Sequence, residues 1–243
     1  MRVEPEGVCC ESAAVPVQES PGEEGGRKVI KIENTDVIGW EHAIRGMRNP
    51  LESWDKSDSC MSVEAVEEGY GWIGENDLSL MMKLRNAGSD ERKFMRMIIV
   101  YVDITAPLYW WKEFDTYKVG TVANSCSTMH KIHAKEFTLD DFSYEHLCIS
   151  SFGIADSVAV LQDVICTMNY HREMFLETKK KEYWWDMIQL LPTSYNQKRT
   201  VMLNYEVLTN MYHARKAHKL DEWREFCRWI ESLPYPQLIT GES

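Results

Sequence analysis

The segment from Ala106 to His130 holds the densest set of side chains in the sequence that could bind a ligand. A helix predicted to start at Ala106-Pro107 carries, on its last turns, Lys112, Glu113, Thr116, Tyr117 and Lys118. The loop after it, residues 119–130, is dense in hydroxyl, amide and thiol groups, which include Asn124, Cys126, Ser127 and Thr128. Short donors beside cations and aromatic rings suit a polar anionic ring compound such as a nucleotide. A structural explanation stays open, because the two lysines complement the negative end of the helix and Ser/Thr-rich loops are common.

Other motifs in the sequence indicate less. Gly69-Tyr-Gly-Trp-Ile-Gly74 matches a dinucleotide-binding pattern, but the acidic segment before it is a poor strand, so a structural role is favoured. His130 and His133 have the spacing of two metal ligands without a third at a sensible distance, and no metal is predicted. The sequence has neither a Gly-x-Ser-x-Gly elbow nor a phosphate loop of the Gly-x-x-x-x-Gly-Lys type. The Trp110-Trp111 and Trp184-Trp185 pairs are predicted to pack in the core, with stacking on a ring ligand as the alternative.

Composition sets the class of protein. With 243 residues, 44% of them hydrophobic, the chain can form one large domain with a sizeable core. Its net charge of −11 and its lack of a basic face argue against nucleic acid as a partner. Seven cysteines without a Cys-x-x-Cys pair indicate a reducing compartment. No apolar run reaches the ~20 residues of a membrane span, and the acidic start does not resemble a secretory signal, so we expect a cytoplasmic protein.

Hydrophobic periodicity predicts one helix-rich α+β domain over residues 27–235, between a disordered acidic tail (1–26) and a second tail (236–243). The predicted strands are Lys28–Glu33 and Phe94–Ile104. Besides the helix after Ala106-Pro107, the predicted helices are Asp36–Arg48, Leu78–Asn86 behind an Asp77 N-cap, Asp156–Leu176, Glu182–Leu191, Lys198–Arg215 and Leu220–Leu233.

This order of features resembles the flavin-dependent thymidylate synthases over roughly residues 28–235. In that family a strand leads into Ala-Pro, a helix, an Arg-His-Arg signature and, seven residues further on, a loop Ser. Here Thr116-Tyr117-Lys118 occupies the signature position, and the loop Ser corresponds to Cys126 or, with one inserted residue, to Ser127. A second match keeps the family's order from a Leu-Pro through an Asn to a terminal Arg, at Leu191-Pro192, Lys198, Asn204, Leu208, Asn210 and Arg215.

The resemblance implies FAD as cofactor, NADPH and a folate as possible co-substrates, and a homotetramer that methylates a deoxyuridine nucleotide. It implies that the nucleotide is bound by Lys118, Asn124, Cys126, Ser127, Thr128, Lys198 and Arg215. It implies that the cofactor is bound by Thr116, Tyr117, Lys118 and Asn204, with Tyr117 and Trp111 able to stack on a ring.

The sequence also departs from the family. Of the signature, only Lys118 keeps a charge, and Glu113 replaces a Gln of the family's helix. The Arg fork binds phosphate in a bidentate way that Lys cannot copy. Whether the chain is an enzyme is therefore left open, and no catalytic residue is predicted. The alternatives are a non-catalytic nucleotide-binding protein, for sensing or sequestering, and an interaction protein with a vestigial pocket.

Overall fold

The computed structural model describes residues 29–61, 71–148 and 156–241. The predicted acidic tail and the first two residues of the glycine motif lie outside these ranges. Four antiparallel strands form one sheet in the order β1-β2-β4-β3. They are β1 (Lys31–Ile38), β2 (Ile99–Pro107), β3 (Val122–Ser125) and β4 (Asn196–Asn204). The α+β prediction is confirmed.

Most of the remaining described chain is helical. The helices are α1 (Trp40–Arg48), α2 (Glu75–Ala87), α3 (Leu108–Phe114), α4 (Thr128–Lys131), α5 (Ser157–Thr178), α6 (Lys181–Leu190), α7 (Tyr205–Arg215), α8 (Asp221–Glu231) and α9 (Gln237–Thr240). Short 3-10 turns lie at Asn49–Leu51, Trp54–Lys56, Arg92–Met97 and Leu139–Asp141. Over the residues that the structure describes, no helix is long and apolar enough to cross a bilayer.

The central strands β2 and β4 pair along their whole length, from Ile99 opposite Asn204 to Pro107 opposite Asn196. Alternate side chains of β2 are fully buried, at Val100, Val102 and Ile104. This alternation places every second residue against the helices. Pro107 ends β2 and precedes α3, whose first two N–H groups donate to the carbonyls of Tyr195 and Thr193. The turn before β4 therefore fixes where α3 starts.

Two hydrophobic clusters hold the domain together. The larger lies between the sheet and the helices around it, and its largest fully buried side chains include Trp110, Trp111, Phe114, Tyr205, Trp223 and Phe226. The smaller joins α5 and α6 to the segment before them, through Phe137, Phe142, Leu161, Ile165, Met168 and Met187. Burying one such side chain contributes about 1.5–3 kcal/mol.

Three predicted element boundaries are wrong. The predicted helix Lys198–Arg215 is the end of β4 followed by α7, because Lys198–Leu203 pairs with β2 rather than continuing the helical pattern. The predicted strand from Phe94 begins only at Ile99, since Phe94 and Met95 are both buried in a 3-10 turn, which strand alternation forbids. The predicted helix from Asp36 begins at Trp40, because Asp36–Ile38 still pairs with β2.

Asp77 does not cap a helix. It lies inside α2, fully buried, and accepts a 2.6 Å hydrogen bond from Nε of Arg48. Burial raises the pKa of Asp77, but hydrogen bonds from Ser57, Ser59 and Arg48 outweigh it and lower the pKa overall. The carboxylate thus joins α1, α2 and the chain between them.

The predicted loop and the predicted C-terminal tail are also more ordered than expected. Residues 119–130 contain strand β3 and the start of the short helix α4. Residues 236–241 are not a tail, because Leu238 and Ile239 of α9 are fully buried in the larger cluster. Arg85 donates to the carbonyls of both residues and fixes this segment to α2.

Candidate functional site

The loop between α3 and β3 passes directly over the start of α7. Gly120 has φ +80°, and a Cβ at this position would lie 2.8 Å from Cγ2 of Val207 and 3.0 Å from Nδ2 of Asn204. Only glycine adopts this conformation without strain and leaves room for that contact. Further along, the N–H of Cys126 donates to the carbonyl of Lys198, and its own carbonyl accepts from Nε2 of Gln197. The loop is therefore fixed to β4 and α7.

The predicted nucleotide-loop residues lie together on this exposed segment. Asn124, Cys126 and Ser127 are exposed, and Thr128 is half-buried. The Ser127 hydroxyl accepts from the N–H of His130 and caps α4. Lys118, at the other end of the loop, is exposed and makes no ion pair with any described residue. The structure thus exposes amide, thiol and hydroxyl groups on β3 and the turn after it, and one available cation in the loop before β3.

Arg215 lies at the end of α7 in a group that we call the Arg215 corner: Glu113, Tyr117, Arg215, His218 and Trp223. Its Nη1 is 2.8 Å from Oε2 of Glu113, and its Nε donates to the Tyr117 hydroxyl at 3.0 Å. Its guanidinium carbon lies 4.7 Å from the ring centre of Trp223, whose Nε1 also donates to Glu113. Nε2 of His218 is 3.6 Å from the same carboxylate. Glu113 therefore neutralises Arg215 within the chain.

Lys198 lies elsewhere. Its Nζ is 2.9 Å from Asp103 and 3.9 Å from Glu33. Hydrogen bonds from Thr200, Lys198 and Asn34 lower the pKa of Asp103 to about 2. The next residue, Arg199, lies over the ring of Trp111 in α3, and neighbouring strand residues point to opposite faces. Lys198 is therefore on the sheet face away from α3 and shares no ion-pair partner with Arg215.

Three further predicted site residues already have structural contacts. Asn204 is buried, and its Oδ1 accepts from the N–H of Val207 as the N-cap of α7. The Thr116 hydroxyl donates to the carbonyl of Glu113. Trp111 is fully buried, donates to the carbonyl of Gln197, and carries Arg199 over its ring. The prediction that Trp111 stacks on a ligand ring is therefore wrong.

Sequence reasoning missed Arg199, whose Nη1 is 2.7 Å from Asp115. The alternation of side chains along a strand could have indicated its position, but this segment was predicted to be a helix. It also missed the joint role of His218 and Trp223 beside Glu113, because these residues lie more than 100 positions from it. The described residues contain no group of three side chains that could hold a metal ion.

The chain shares its fold with solved structures of a flavin-dependent thymidylate synthase. The chain matches the crystal structure of flavin-dependent thymidylate synthase ThyX from Helicobacter pylori complexed with FAD and dUMP, at a TM-score of 0.62 and 14% identity. The match covers 88% of this chain and 99% of that chain. A second structure of Helicobacter pylori ThyX with FAD and dUMP matches at a TM-score of 0.61 and 14% identity, over 87% and 97% of the two chains.

No protein-family model and no curated protein matches the sequence. At 14% identity the structural matches show the fold. The resemblance found in the sequence is confirmed at that level.

Proposed function

We propose that this chain is a nucleotide-binding protein built on the thymidylate synthase fold. Its ligand lies along the loop before β3, which carries Lys118, and along β3 and the turn after it, which carry Asn124–Ser127. The observation that carries the proposal is the exposed set of donors on Asn124–Ser127, which hydrogen bonds of Cys126 fix to β4. Lys118, earlier in the chain, supplies an available cation. The structures that share the fold are complexed with FAD and dUMP. Lys118 supplies one positive charge, which suits a ligand with one phosphate group.

The residues at the signature position do not fit FAD well. The resemblance implies that three cationic or ring side chains hold flavin and nucleotide phosphates there. In this chain the Thr116 hydroxyl is bonded to Glu113, and the Tyr117 hydroxyl accepts from Arg215. Lys118 alone remains for a pyrophosphate that carries two charges.

Arg215 supports the site by position rather than by charge. A phosphate that approached its guanidinium would meet the Glu113 carboxylate, which Arg215 and Trp223 already contact. Instead, Nε of Arg215 holds the Tyr117 hydroxyl beside the loop. We assign Arg215 the role of orienting the segment that carries Lys118.

Calorimetry with dUMP, deoxyuridine and FAD tests the proposal. We expect dUMP to bind and Lys118→Ala to weaken it about tenfold, the loss of one charged hydrogen bond. The matched control is Lys83→Ala, since Lys83 is an exposed lysine of α2 without an ion pair among the described residues. Deoxyuridine is expected to bind equally well to both variants, because it lacks the phosphate. Equal dUMP affinity of the two variants would remove Lys118 from the site.

Flavin-dependent methylation of a deoxyuridine nucleotide is the second candidate, favoured by a structural match that extends over 88% of the chain. Denaturing the purified protein and identifying released molecules by mass spectrometry separates the two. Stoichiometric FAD, followed by dTMP formation from dUMP with NADPH and a reduced folate, would make the chain an enzyme. A nucleotide without FAD would support the binding protein.

We also propose self-association, as the resemblance to a homotetrameric family implies. Strand β3 forms one edge of the sheet in the described structure, and all four of its residues are exposed. Val122, its first residue, is 61% exposed, and Val119 before it is 91% exposed. Light scattering of the purified chain tests this, and a monomer at all concentrations would contradict it. The cytoplasmic location stays a prediction.

A further inference from the structure

A cleft lies between α4, the end of α5 and the start of α6, and no residue of the Arg215 corner lines it. It has a volume of about 350 Å³. We call it the α4–α6 cleft, and its lining residues are Met129, His130, His133, Phe175, Lys179, Lys181 and Trp184. None of the residues assigned to the proposed nucleotide site lines it.

The walls of the cleft are fixed by hydrogen bonds and ring contacts. Trp184 Nε1 donates to the carbonyl of Met129, and Arg172 Nε donates to the carbonyl of His133. The rings of His133 and Phe175 meet edge to face with centroids 4.9 Å apart. Lys179 ends α5 in the left-handed conformation, with φ +57°, so that the chain turns back into α6. The cleft is thus part of the folded domain.

The charged side chains that line the cleft are all basic. Lys179, Lys181 and the two histidines face a space that no lining Asp or Glu shares, in a chain of net charge −11. Over the described ranges Lys179 and Lys181 have no carboxylate partner and lie 5.9 and 5.7 Å from the ring centres of Phe175 and Trp185. Lys180, between them, pairs instead with Glu182 at 3.7 Å. Two neighbouring lysines are therefore left available to an anion.

The start of α6 adds backbone donors beside the lysines. No side chain caps the N-terminus of α6, where Lys181 begins the helix. Free N–H groups at such a terminus favour a negative charge. The rings of Phe175 and Trp184 add apolar area beside these donors.

We propose that the α4–α6 cleft binds a small organic anion that carries a flat ring. Lys179, Lys181 and the first N–H groups of α6 hold the anionic group. Phe175 and Trp184 contact the ring, as aromatic side chains do in ligand pockets. This site goes beyond the proposed nucleotide site and does not depend on it.

The experiment uses the full chain with Lys118→Ala, so that binding of a phosphate at the proposed nucleotide site is weakened. The probe is AMP, with adenosine as the ring alone and inorganic phosphate as the anion alone. We expect AMP to bind more tightly than either, and Lys179→Ala with Lys181→Ala to weaken AMP about tenfold or more. Lys180→Ala is the matched control, since Lys180 is in the same turn but paired with Glu182, and we expect a change of less than about twofold.

His133 gives the readout that separates the cleft from the proposed nucleotide site, because His130 also donates to Ser127. Ring signals of His130 and His133 in NMR spectra, assigned with His130→Gln and His133→Gln, should move on adding AMP, and the remaining five histidines should not. No saturable binding of AMP would overturn the proposal. So would an unchanged affinity in the double-lysine variant, an equal loss in Lys180→Ala, or shifts confined to the other histidines. Equal affinity for phosphate and AMP would overturn the role of the rings.

Discussion

The Arg215 corner and the α4–α6 cleft are built from the same kinds of side chain. Each brings long cationic side chains, histidine and large aromatic rings together. They differ in one group: the corner contains the Glu113 carboxylate, which accepts from Arg215 and Trp223, whereas the cleft lining has no Asp or Glu. Where a carboxylate is present, it pairs with the cation and links helices of the fold. Where none is present, the cation stays available to a ligand.

The Arg215 corner and the α4–α6 cleft also differ in how deeply their side chains are buried. Trp223 of the corner is fully buried and Arg215 is only 19% exposed, so the corner is part of the larger hydrophobic cluster. It joins α3 to α7 and α8 through contacts between residues 102 and 110 positions apart. The cleft lies at the rim of the smaller cluster, and its lysines extend into solvent. We therefore expect substitutions in the corner to change stability and substitutions in the cleft to change binding.

The largest expected effect is that of Trp223→Ala. It removes a fully buried indole and one hydrogen bond to Glu113, and we expect a loss of about 3–5 kcal/mol in the free energy of unfolding. Trp184→Ala in the cleft is the comparison, and we expect about 1–2 kcal/mol because Trp184 is only partly buried. Chemical denaturation measures both. Equal losses would show that the two regions do not differ in structural role.

Glu113→Gln should make the corner resemble the cleft. The amide keeps the shape and can still accept from Trp223, but it no longer neutralises Arg215. We expect a loss of about 1 kcal/mol in stability and a gain of about tenfold in dUMP affinity, because the guanidinium becomes available to phosphate. Calorimetry and chemical denaturation measure the two effects. A weaker affinity would mean that Glu113 serves the ligand directly.

Lys179→Glu should make the cleft resemble the corner. A carboxylate beside Lys181 and the histidines would neutralise the lining, and we expect AMP affinity to fall by about tenfold or more. Stability should change by less than about 0.5 kcal/mol, since the residue is exposed. Calorimetry and thermal unfolding of the variant measure these. A large loss of stability would show that Lys179 is a structural residue like Arg215.

We expect the smallest effect on stability from the ion pair of Asp103 and Lys198, on the sheet face away from α3. The pKa of Asp103 is lowered to about 2 by Thr200, Lys198 and Asn34, so its ion pair stabilises the fold above the unfolded pKa of about 3.9. This stabilisation is lost as the pH falls from about 4 to about 2. We expect a loss of about 1 kcal/mol or less, because solvent screens the pair. Urea unfolding at pH 6 and pH 2.5, with Asp103→Asn as the variant that loses this dependence, measures it.

The sequence predicted the fold class, the order of most helices and the exposed segment that carries Asn124–Ser127, although part of that segment is strand β3 and not a loop. It failed where a segment satisfied two patterns, as in Lys198–Leu203, whose mixture of basic and apolar residues fits a helix as well as a strand. Only the pairing of this segment with β2 decides between them. It also failed for the site partners, because the contact of Glu113 with Arg215 joins residues 102 positions apart. Nothing local in either segment shows that the cation is already paired.

A variant at Gly120 makes it possible to distinguish, in a living cell, the effects of ligand binding from the effects of the protein's presence. Gly120→Val would move the loop off Asn204 and Val207, since even a Cβ would come within 2.8 Å of Val207. The four residues of β3 that follow are exposed, so their side chains belong to neither hydrophobic cluster. The allele should accumulate to the normal level, seen by immunoblot, and lack nucleotide binding. A phenotype shared by this allele and a deletion would belong to the ligand, and one seen only in the deletion would belong to the rest of the molecule.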